Sequence, residues 1–183
     1  MQHDHCSYCG TRYVEGSAWP RTCASCGETT WSNPLPVAVV LHPVVYTDGR
    51  VGLVVVRRDI EPFRGEIALP GGFIETGESW REAAVRELME ETYLPAEPDE
   101  VELFDVHSSF KGYSLLIFGI LPPRAAEDLP PSTPTEESME WLVLTEPVTL
   151  AFPTHTDAMA EFFRGVRGKP SHHSHQAGQV ASA

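Results

Sequence analysis

Residues 72–94 read GFIETGESWREAAVRELMEETYL and predict a tight loop followed by a helix. Gly71 and Gly72 follow Pro70, and the lack of a Cβ lets their backbone turn sharply and come close to a ligand. No glycine or proline occurs between Ser79 and Thr92, so a helix is expected there. Hydroxyl and acidic side chains just before it are typical of a helix N-terminus.

Three glutamates of this helix, Glu87, Glu90 and Glu91, share one face at helical spacing. Like charges within one turn repel one another, and a hard divalent cation such as Mg²⁺ or Mn²⁺ gives a reason for their presence. A solvated acidic helix face is the alternative interpretation. Arg86 has the i,i+4 spacing to Glu90 and is equally able to reach Glu78 and brace the loop.

The spacing of these residues resembles the signature of the Nudix hydrolases. That signature runs Gly, five residues, Glu, seven residues, and then Arg-Glu-aliphatic-x-Glu-Glu-x-Gly-aliphatic. The matching positions in this chain are Gly72, Glu78, Arg86, Glu87, Leu88, Glu90, Glu91 and Leu94. Tyr93 stands where the family has a glycine that ends the helix in a left-handed conformation, so an altered helix end is expected.

The resemblance implies an α/β fold, with a mixed β-sheet between helices, and a metal-dependent hydrolase. The substrate would be a nucleoside diphosphate joined to another group, as in a dinucleotide or a nucleotide sugar. Dimers are common in the family, so a homodimer is also implied. The alternative is a protein that senses nucleotides or docks to a partner without turnover. That alternative predicts the loss of signature carboxylates, whereas all of them are present.

The family's functional residues carry over onto this chain position by position. The expected ligands of Mg²⁺ or Mn²⁺ are three carboxylates and a backbone carbonyl: Glu87, Glu90, Glu91 and Gly71 or Gly72. Glu78 and Arg86 would fix the loop against the helix. The general base would be Glu87 or a glutamate from the later proline-rich loop, for which the candidates are Glu136, Glu137 and Glu140.

The 183-residue chain has 13 basic and 26 acidic residues, which gives a formal net charge of -13. Because Lys and Arg are not in surplus, binding to nucleic acid or to an anionic membrane is not expected. An acidic protein that acts on phosphates needs a metal ion as intermediary. No apolar run is long enough to span a bilayer, and the polar N-terminus lacks a signal-peptide core, which predicts a cytoplasmic protein.

All four cysteines lie near the N-terminus, in two C-x-x-C-G turns formed by Cys6, Cys9, Cys23 and Cys26. Two such turns supply the four thiolates of a structural zinc site, and disulfides or a redox pair are the alternative. A zinc ribbon before a Nudix domain is similar to the architecture of NADH pyrophosphatases, although their Ser-Gln-Pro-Trp motif is not found downstream. We therefore expect a zinc ribbon at 1–33, a Nudix domain at 34–165 and a disordered tail at 166–183.

Two β-rich segments, 36–47 and 51–58, flank the hairpin signal Asp48-Gly49, and a second hairpin is expected over 101–121. Arg57 and Arg58 end the second segment just before the glycine loop. There they would either bind a substrate phosphate or form a solvated strand end. Phe63 is a candidate for stacking on a base, with a place in the core as the alternative. A last helix is expected to begin near Thr154 and to end before Gly165.

Overall fold

The computed structural model describes residues 4–168. Eleven strands and two α-helices follow one another along the chain: β1 (Arg21–Thr22), β2 (Thr29–Thr30), β3 (Leu35–Leu41), β4 (Pro43–Val45), β5 (Val51–Arg58), β6 (Ile67–Ala68), β7 (Gly71–Phe73), α1 (Trp80–Thr92), β8 (Glu102–Ser108), β9 (Ser114–Ile120), β10 (Arg124–Ala125), β11 (Ser138–Leu144) and α2 (Pro153–Gly168). Short 3₁₀ segments lie at Pro98–Glu100, Phe110–Gly112 and Ala126–Asp128. Within the described residues, no helix has the length and apolar character to cross a membrane.

Strands β1 and β2 pair with each other as a small antiparallel sheet, and the other nine strands form two mixed sheets rather than the single one expected. One sheet has the order β7-β3-β9-β8, and the other has the order β10-β4-β5-β11 with β6 also paired to β5. The segment 36–47 was expected to form one strand, but it divides at His42 into β3 and β4, which belong to different sheets. Pro43 has no N–H to donate to a ladder, which favours the break at this point.

Strands β3 and β5 are buried on both faces. Along β3, Ala38 and Val40 enter one hydrophobic cluster while Val39 and Leu41 enter another, and β5 alternates in the same way. Helix α1 contributes Ala83, Ala84 and Leu88 to the first cluster, and α2 contributes Ala158, Met159, Phe162 and Phe163 to the second. The strands therefore lie between the two helices, which confirms the expected α/β layering.

Helix α1 begins and ends at defined caps. Ser79 and Glu82 form a capping box, in which the Ser79 side chain accepts from the Glu82 N–H. At the other end Tyr93 takes the left-handed conformation, with φ 57° and ψ 19°, and its N–H donates to the Met89 carbonyl. The expectation of an altered helix end is therefore wrong. The tyrosine adopts the backbone geometry that a glycine would have at this position.

Helix α2 is longer than the sequence indicated. It begins at Pro153 and continues through Gly165 to Gly168. The expected boundary of the tail at residue 166 is therefore wrong for its first three residues, because a single glycine costs a helix only about 1 kcal/mol. The remainder of that tail, 169–183, lies outside the described residues.

Candidate active site

A cavity of about 750 Å³ opens beside the loop that joins β7 to α1. Its size is ordinary for a site that takes a small molecule. Six glutamates and two arginines line it: Glu61, Glu75, Glu87, Glu90, Glu91, Glu137, Arg58 and Arg86. Phosphates would meet a surplus of negative charge here, so an anionic ligand requires a bound cation.

Glu91 and Glu87 form the buried part of this acidic wall, with exposed fractions of 3% and 7%. Glu91 Oε2 accepts the N–H of Gly71 at 3.0 Å. Burial raises the pKa of Glu91 to about 8, and the nearby Glu87 carboxylate acts in the same direction. Burial also raises the pKa of Glu87. A cation bound beside them would offset this cost of burial.

The glycine loop leaves no room for side chains next to these glutamates. A Cβ on Gly71, where φ is 154°, would lie 2.3 Å from the Ala38 carbonyl oxygen. A Cβ on Gly72 would lie 2.3 Å from Glu87 Oε1. The two glycines therefore permit the loop backbone to pass directly against β3 and against the Glu87 carboxylate.

Arg86 connects the loop to the helix. Its guanidinium bonds to both oxygens of Glu78, at 2.7 and 3.1 Å, and donates to the Phe73 carbonyl at 3.0 Å. It also reaches Glu87 at 2.8 Å and Glu90 at 3.1 Å, so both partners expected from the sequence are present. The hydrogen bonds from Arg86 lower the pKa of Glu78.

The chemistry of the donor set fits a hard divalent cation, because Glu87, Glu90 and Glu91 offer only carboxylate oxygens to one cavity. Glu90 is the accessible member, with 52% of its side chain exposed. Glu87 and Glu90 accept hydrogen bonds from Arg86, and Glu91 accepts one from the Gly71 N–H. The carboxylate oxygens of the three glutamates do not form one compact cluster. In the part of the chain that is described, the four cysteines are the only group of three or more His, Cys, Asp or Glu residues whose donor atoms all lie within 4.8 Å of one another.

Arg57 and Arg58 have different surroundings. Arg57 lies outside the cavity lining, where its Nε donates to Glu140 Oε1 at 2.8 Å and its Nη1 to the Gly65 carbonyl at 3.0 Å. The expectation that Arg57 binds substrate is therefore not supported. Arg58 lines the cavity and is only 8% exposed. Its Nε donates to the Pro62 carbonyl, and it has no carboxylate ion-pair partner among residues 4–168.

Phe63 does not line the cavity either. It is 49% exposed and makes an edge-to-face contact with Phe152, whose ring does line the cavity. The proposed role of Phe63 in stacking on a base is therefore not supported, and neither is a place in the core. The guanidinium of Arg58 lies 5.2 Å from the centroid of Phe152, so this ring links the two residues.

The proline-rich loop brings one of its three candidate glutamates to the cavity. Glu137 lines the cavity, whereas Glu136 does not and Glu140 pairs with Arg57. The next residue, Ser138, is fully buried and donates its hydroxyl to the Glu91 carbonyl of α1. The Glu137 carbonyl in turn accepts the Asp59 N–H at 2.8 Å. These bonds hold the end of the loop between α1 and β5.

His155 is a cavity residue that the sequence did not single out. It lies on α2, is 5% exposed, and accepts the N–H of Leu69 on Nδ1 at 3.3 Å. Burial lowers its pKa to about 3, so the ring is neutral and fit to accept this bond. Because 86 residues separate the two partners, no local pattern could have indicated the contact. Two exposed aromatic residues, Phe73 and Phe110, also line the cavity.

The four cysteines meet as a compact cluster, in which the sulfurs of Cys6 and Cys26 lie 3.7 Å apart and those of Cys9 and Cys23 lie 3.6 Å apart. A tetrahedral site with Zn–S bonds of about 2.3 Å has sulfurs about 3.8 Å apart. No disulfide joins them. The sulfur cluster therefore fits structural zinc in its donors and in its spacing.

A family model of the NUDIX domain matches residues 34–165, which is most of the chain. The chain belongs to the Nudix family. The match begins after the four cysteines, so the cysteine cluster lies outside the Nudix domain as the family model defines it.

Relatives and solved structures agree with membership of the Nudix family. An ADP-ribose pyrophosphatase of Methanocaldococcus jannaschii is 45% identical over 73 residues, which cover 38% of this chain and 42% of that protein. Nudix hydrolase 3 of Caenorhabditis elegans is 41% identical over 64 residues, 34% of this chain and 27% of that protein. The match to these curated relatives thus spans less than half of their length. The crystal structure of a NUDIX hydrolase from Nitrosomonas europaea superposes with a TM-score of 0.68 at 26% identity, covering 91% of this chain and 94% of that one.

Proposed function

We propose that this Nudix protein hydrolyses the diphosphate linkage of a nucleoside diphosphate joined to another group, with Mg²⁺ or Mn²⁺ as cofactor. The observation that carries the proposal is a single cavity whose lining includes Glu87, Glu90, Glu91 and Glu137 together with the buried cation Arg58. ADP-ribose is the first substrate to test, because the archaeal relative carries the name ADP-ribose pyrophosphatase.

Each residue has a part in this proposal. Glu87, Glu90 and Glu91 would hold the divalent ion, together with a carbonyl of Gly71 or Gly72. When bound, the ion supplies charge compensation for the diphosphate and lowers the pKa of water. Arg58 would bind a phosphate oxygen.

The proton of the attacking water would pass to Glu87 or to Glu137. Of the three glutamates expected as a general base from the proline-rich loop, only Glu137 lines the cavity, so it is the one that we propose. Arg86 and Glu78 act on the loop, because their ion pair fixes the position of the Phe73 carbonyl and so the course of the glycines before it. Products would be a nucleoside monophosphate and the phosphorylated partner group.

The division of the chain is part of the proposal. We assign residues 1–33 to a zinc ribbon that is structural, residues 34–165 to the catalytic domain, and the protein to the cytoplasm. Four cysteines arranged for zinc, without a disulfide, suit a reducing compartment. A homodimer stays a prediction from the family.

The test is a product assay by mass spectrometry with magnesium or manganese. The substrates are ADP-ribose, NADH, dinucleoside polyphosphates, nucleotide sugars, CoA and nucleoside triphosphates. We expect metal-dependent cleavage of one class, and we expect Glu91→Gln to lose at least about 100-fold in kcat because it removes a ligand charge. The variant should still fold, since the amide oxygen can accept the Gly71 N–H.

Two results would contradict the proposal. Wild-type activity in Glu91→Gln would exclude the metal assignment. If the zinc-loaded, folded protein cleaved none of these substrates, a sensing protein without turnover would be the better interpretation.

A further inference from the structure

The imidazole of His155 carries a hydrogen-bond donor that the fold does not use. His155 lies in the first turn of α2, and burial lowers its pKa to about 3, so the ring is neutral. Its Nδ1 accepts the Leu69 N–H at 3.3 Å. In a neutral imidazole one nitrogen accepts and the other carries the proton, so the proton of this ring is on Nε2.

The Nε2–H group opens into the cavity. Within residues 4–168, the bond from Leu69 is the one hydrogen bond that the ring of His155 makes. Two buried side-chain nitrogens in that range are fully enclosed without a partner, and they are His42 Nδ1 and Trp141 Nε1. His155 Nε2 is not one of them, so it keeps some accessible surface, and His155 lines the cavity. A ligand in the cavity can therefore accept its proton.

The ring of His155 is held in one orientation. The Phe152 ring lies 4.9 Å from it and the Phe118 ring 5.7 Å, measured between centroids. The Leu69 N–H fixes the remaining rotation of the imidazole. A ligand that bonds to Nε2 therefore orders no mobile side chain, which keeps the entropic cost of binding small.

His155 and Arg58 occupy the same corner of the cavity, because both pack against the ring of Phe152. The Arg58 guanidinium lies 5.2 Å from the centroid of that ring. Burial has the largest influence on the pKa values of His155 and Glu91, but the charge of Arg58 also acts on both. Arg58 is therefore within electrostatic range of the imidazole on one side and of the acidic wall on the other.

Helix α2 adds a field that favours an anion in this corner. The first three residues of the helix, Pro153, Thr154 and His155, all line the cavity. The N-terminus of a helix carries partial positive charge, which acts within its first turn. A charged oxygen is also the acceptor to which an N–H group bonds most strongly. A phosphate is thus the part of the proposed substrate that this corner suits.

We propose that the Nε2–H of His155 donates to a phosphate oxygen of the substrate, beside Arg58, so that helix α2 takes part in binding the diphosphate. Arg58 supplies the charge, and the fixed imidazole supplies a directed bond. This inference rests on the proposed function and adds a substrate-binding residue to it.

Two substitutions separate the roles of the two ring nitrogens. His155→Asn keeps an acceptor for the Leu69 N–H but has no group at the position of Nε2. His155→Gln carries an amide N–H about as far from the backbone as Nε2 is, but leaves the Leu69 N–H without its acceptor. We therefore expect His155→Asn to keep its stability and to lose phosphate binding, and His155→Gln to do the opposite.

The probe is the α,β-methylene analogue of ADP, in which carbon replaces the bridging oxygen so that the diphosphate cannot be hydrolysed. By calorimetry with magnesium, His155→Asn should bind the analogue roughly 10- to 100-fold more weakly than the wild type. His155→Gln should stay within about fivefold of the wild type. Mn²⁺ alone is the control probe, and His155→Asn should bind it within about twofold of the wild type, because His155 is not among the proposed metal ligands.

NMR of protein labelled with ¹⁵N-histidine observes the bond directly. The Nε2 signal of His155, read through the ring C–H protons, is identified by its absence in His155→Asn. It should show a protonated Nε2 in the free protein and should shift when magnesium and the analogue are added, because a charged oxygen then accepts its proton. The bond to the Leu69 N–H by itself produces no such shift.

Three results would overturn the inference. The first is equal binding of the analogue by His155→Asn and the wild type. The second is a Nε2 signal that stays in place when the analogue saturates the wild type, or a wild type that does not bind the analogue. The third is a parallel loss of the analogue and of Mn²⁺ in His155→Asn, because the residue would then act through the glycine loop and not on a phosphate.

The analogue is not cleaved, so the result does not depend on hydrolysis. If His155→Asn loses the analogue while the wild type cleaves no substrate, the phosphate donor stands and the hydrolase proposal fails. If the wild type hydrolyses ADP-ribose and His155→Asn binds the analogue as before, the hydrolase proposal stands and the phosphate donor fails.

Discussion

Arg57 and Arg58 are consecutive residues, and they provide a matched pair of substitutions. Arg58→Ala should lower kcat/KM about 10- to 100-fold, because it removes a buried cation from the cavity that we propose binds the substrate's phosphates. Arg57→Ala should keep kcat/KM within about threefold, since it breaks a partly exposed pair with Glu140 outside that cavity. Steady-state kinetics on the substrate found in the panel measure both. Equal losses in the two variants would contradict the assignment of Arg58.

The burial of His155 predicts how the free energy of unfolding depends on pH. Burial lowers its pKa from 6.5 in the unfolded chain to about 3 in the fold, so the unfolded state binds more protons between these values. The stabilisation is full above pH 6.5 and is lost as the pH falls toward 3. His42, whose pKa is lowered to about 4 by burial, acts in the same direction.

Urea unfolding at pH 7.5 and 5.5 tests this expectation. Each buried histidine should contribute a loss of about 1 kcal/mol between the two values, whereas Glu91, whose pKa is raised to about 8, acts in the opposite direction in wild type and variant alike. In His155→Asn the amide oxygen can accept the Leu69 N–H but does not titrate. Between pH 7.5 and 5.5 the free energy of unfolding of this variant should therefore fall by about 1 kcal/mol less than that of the wild type. An unchanged difference between the two pH values in that variant would contradict the prediction.

The end of α1 is the element at which the chain departs from its family signature. Tyr93→Gly should relieve the left-handed conformation of a residue with a Cβ and raise the free energy of unfolding by about 0.5–1 kcal/mol. For a chain of this size that corresponds to about 1–4 °C in Tm. Tyr93→Ala is the control, because it keeps the Cβ and should bring no gain. A lower Tm for Tyr93→Gly would show that the exposed tyrosine ring stabilises the helix end.

The elements near the site could be predicted to different degrees. Helix α1 and the shared face of Glu87, Glu90 and Glu91 follow from local spacing, which helical geometry converts directly into a common side. The choice of Glu137 over Glu136 could not be predicted, because it depends on a hydroxyl bond from Ser138 to a helix 47 residues away. The same holds for His155, whose partner Leu69 lies on a distant segment. Long-range contacts of this kind leave no periodic trace in the sequence.

At the scale of the whole molecule, we predict that the zinc ribbon unfolds separately from the Nudix domain. Its residues contribute to neither hydrophobic cluster, so its stability should come from the metal. Removal of zinc by a chelator, or Cys23→Ser, should make the chain susceptible to trypsin after Arg12 and Arg21, because the segment would lose its fixed conformation. The melting temperature of the Nudix domain should stay within about 2 °C. Metal analysis, limited proteolysis and thermal unfolding measure these outcomes, and a matching loss in the Nudix domain would contradict the structural independence of the ribbon.

Strands β3 and β5 separate the two hydrophobic clusters and supply alternate residues to each. Because the same backbone forms the wall of both clusters, neither can lose its packing while the other persists. The Nudix domain should therefore unfold as one cooperative unit, in which the amides of these two strands exchange with solvent only when the whole domain opens. We expect the proposed ribbon to open without that unit, because its residues belong to neither cluster.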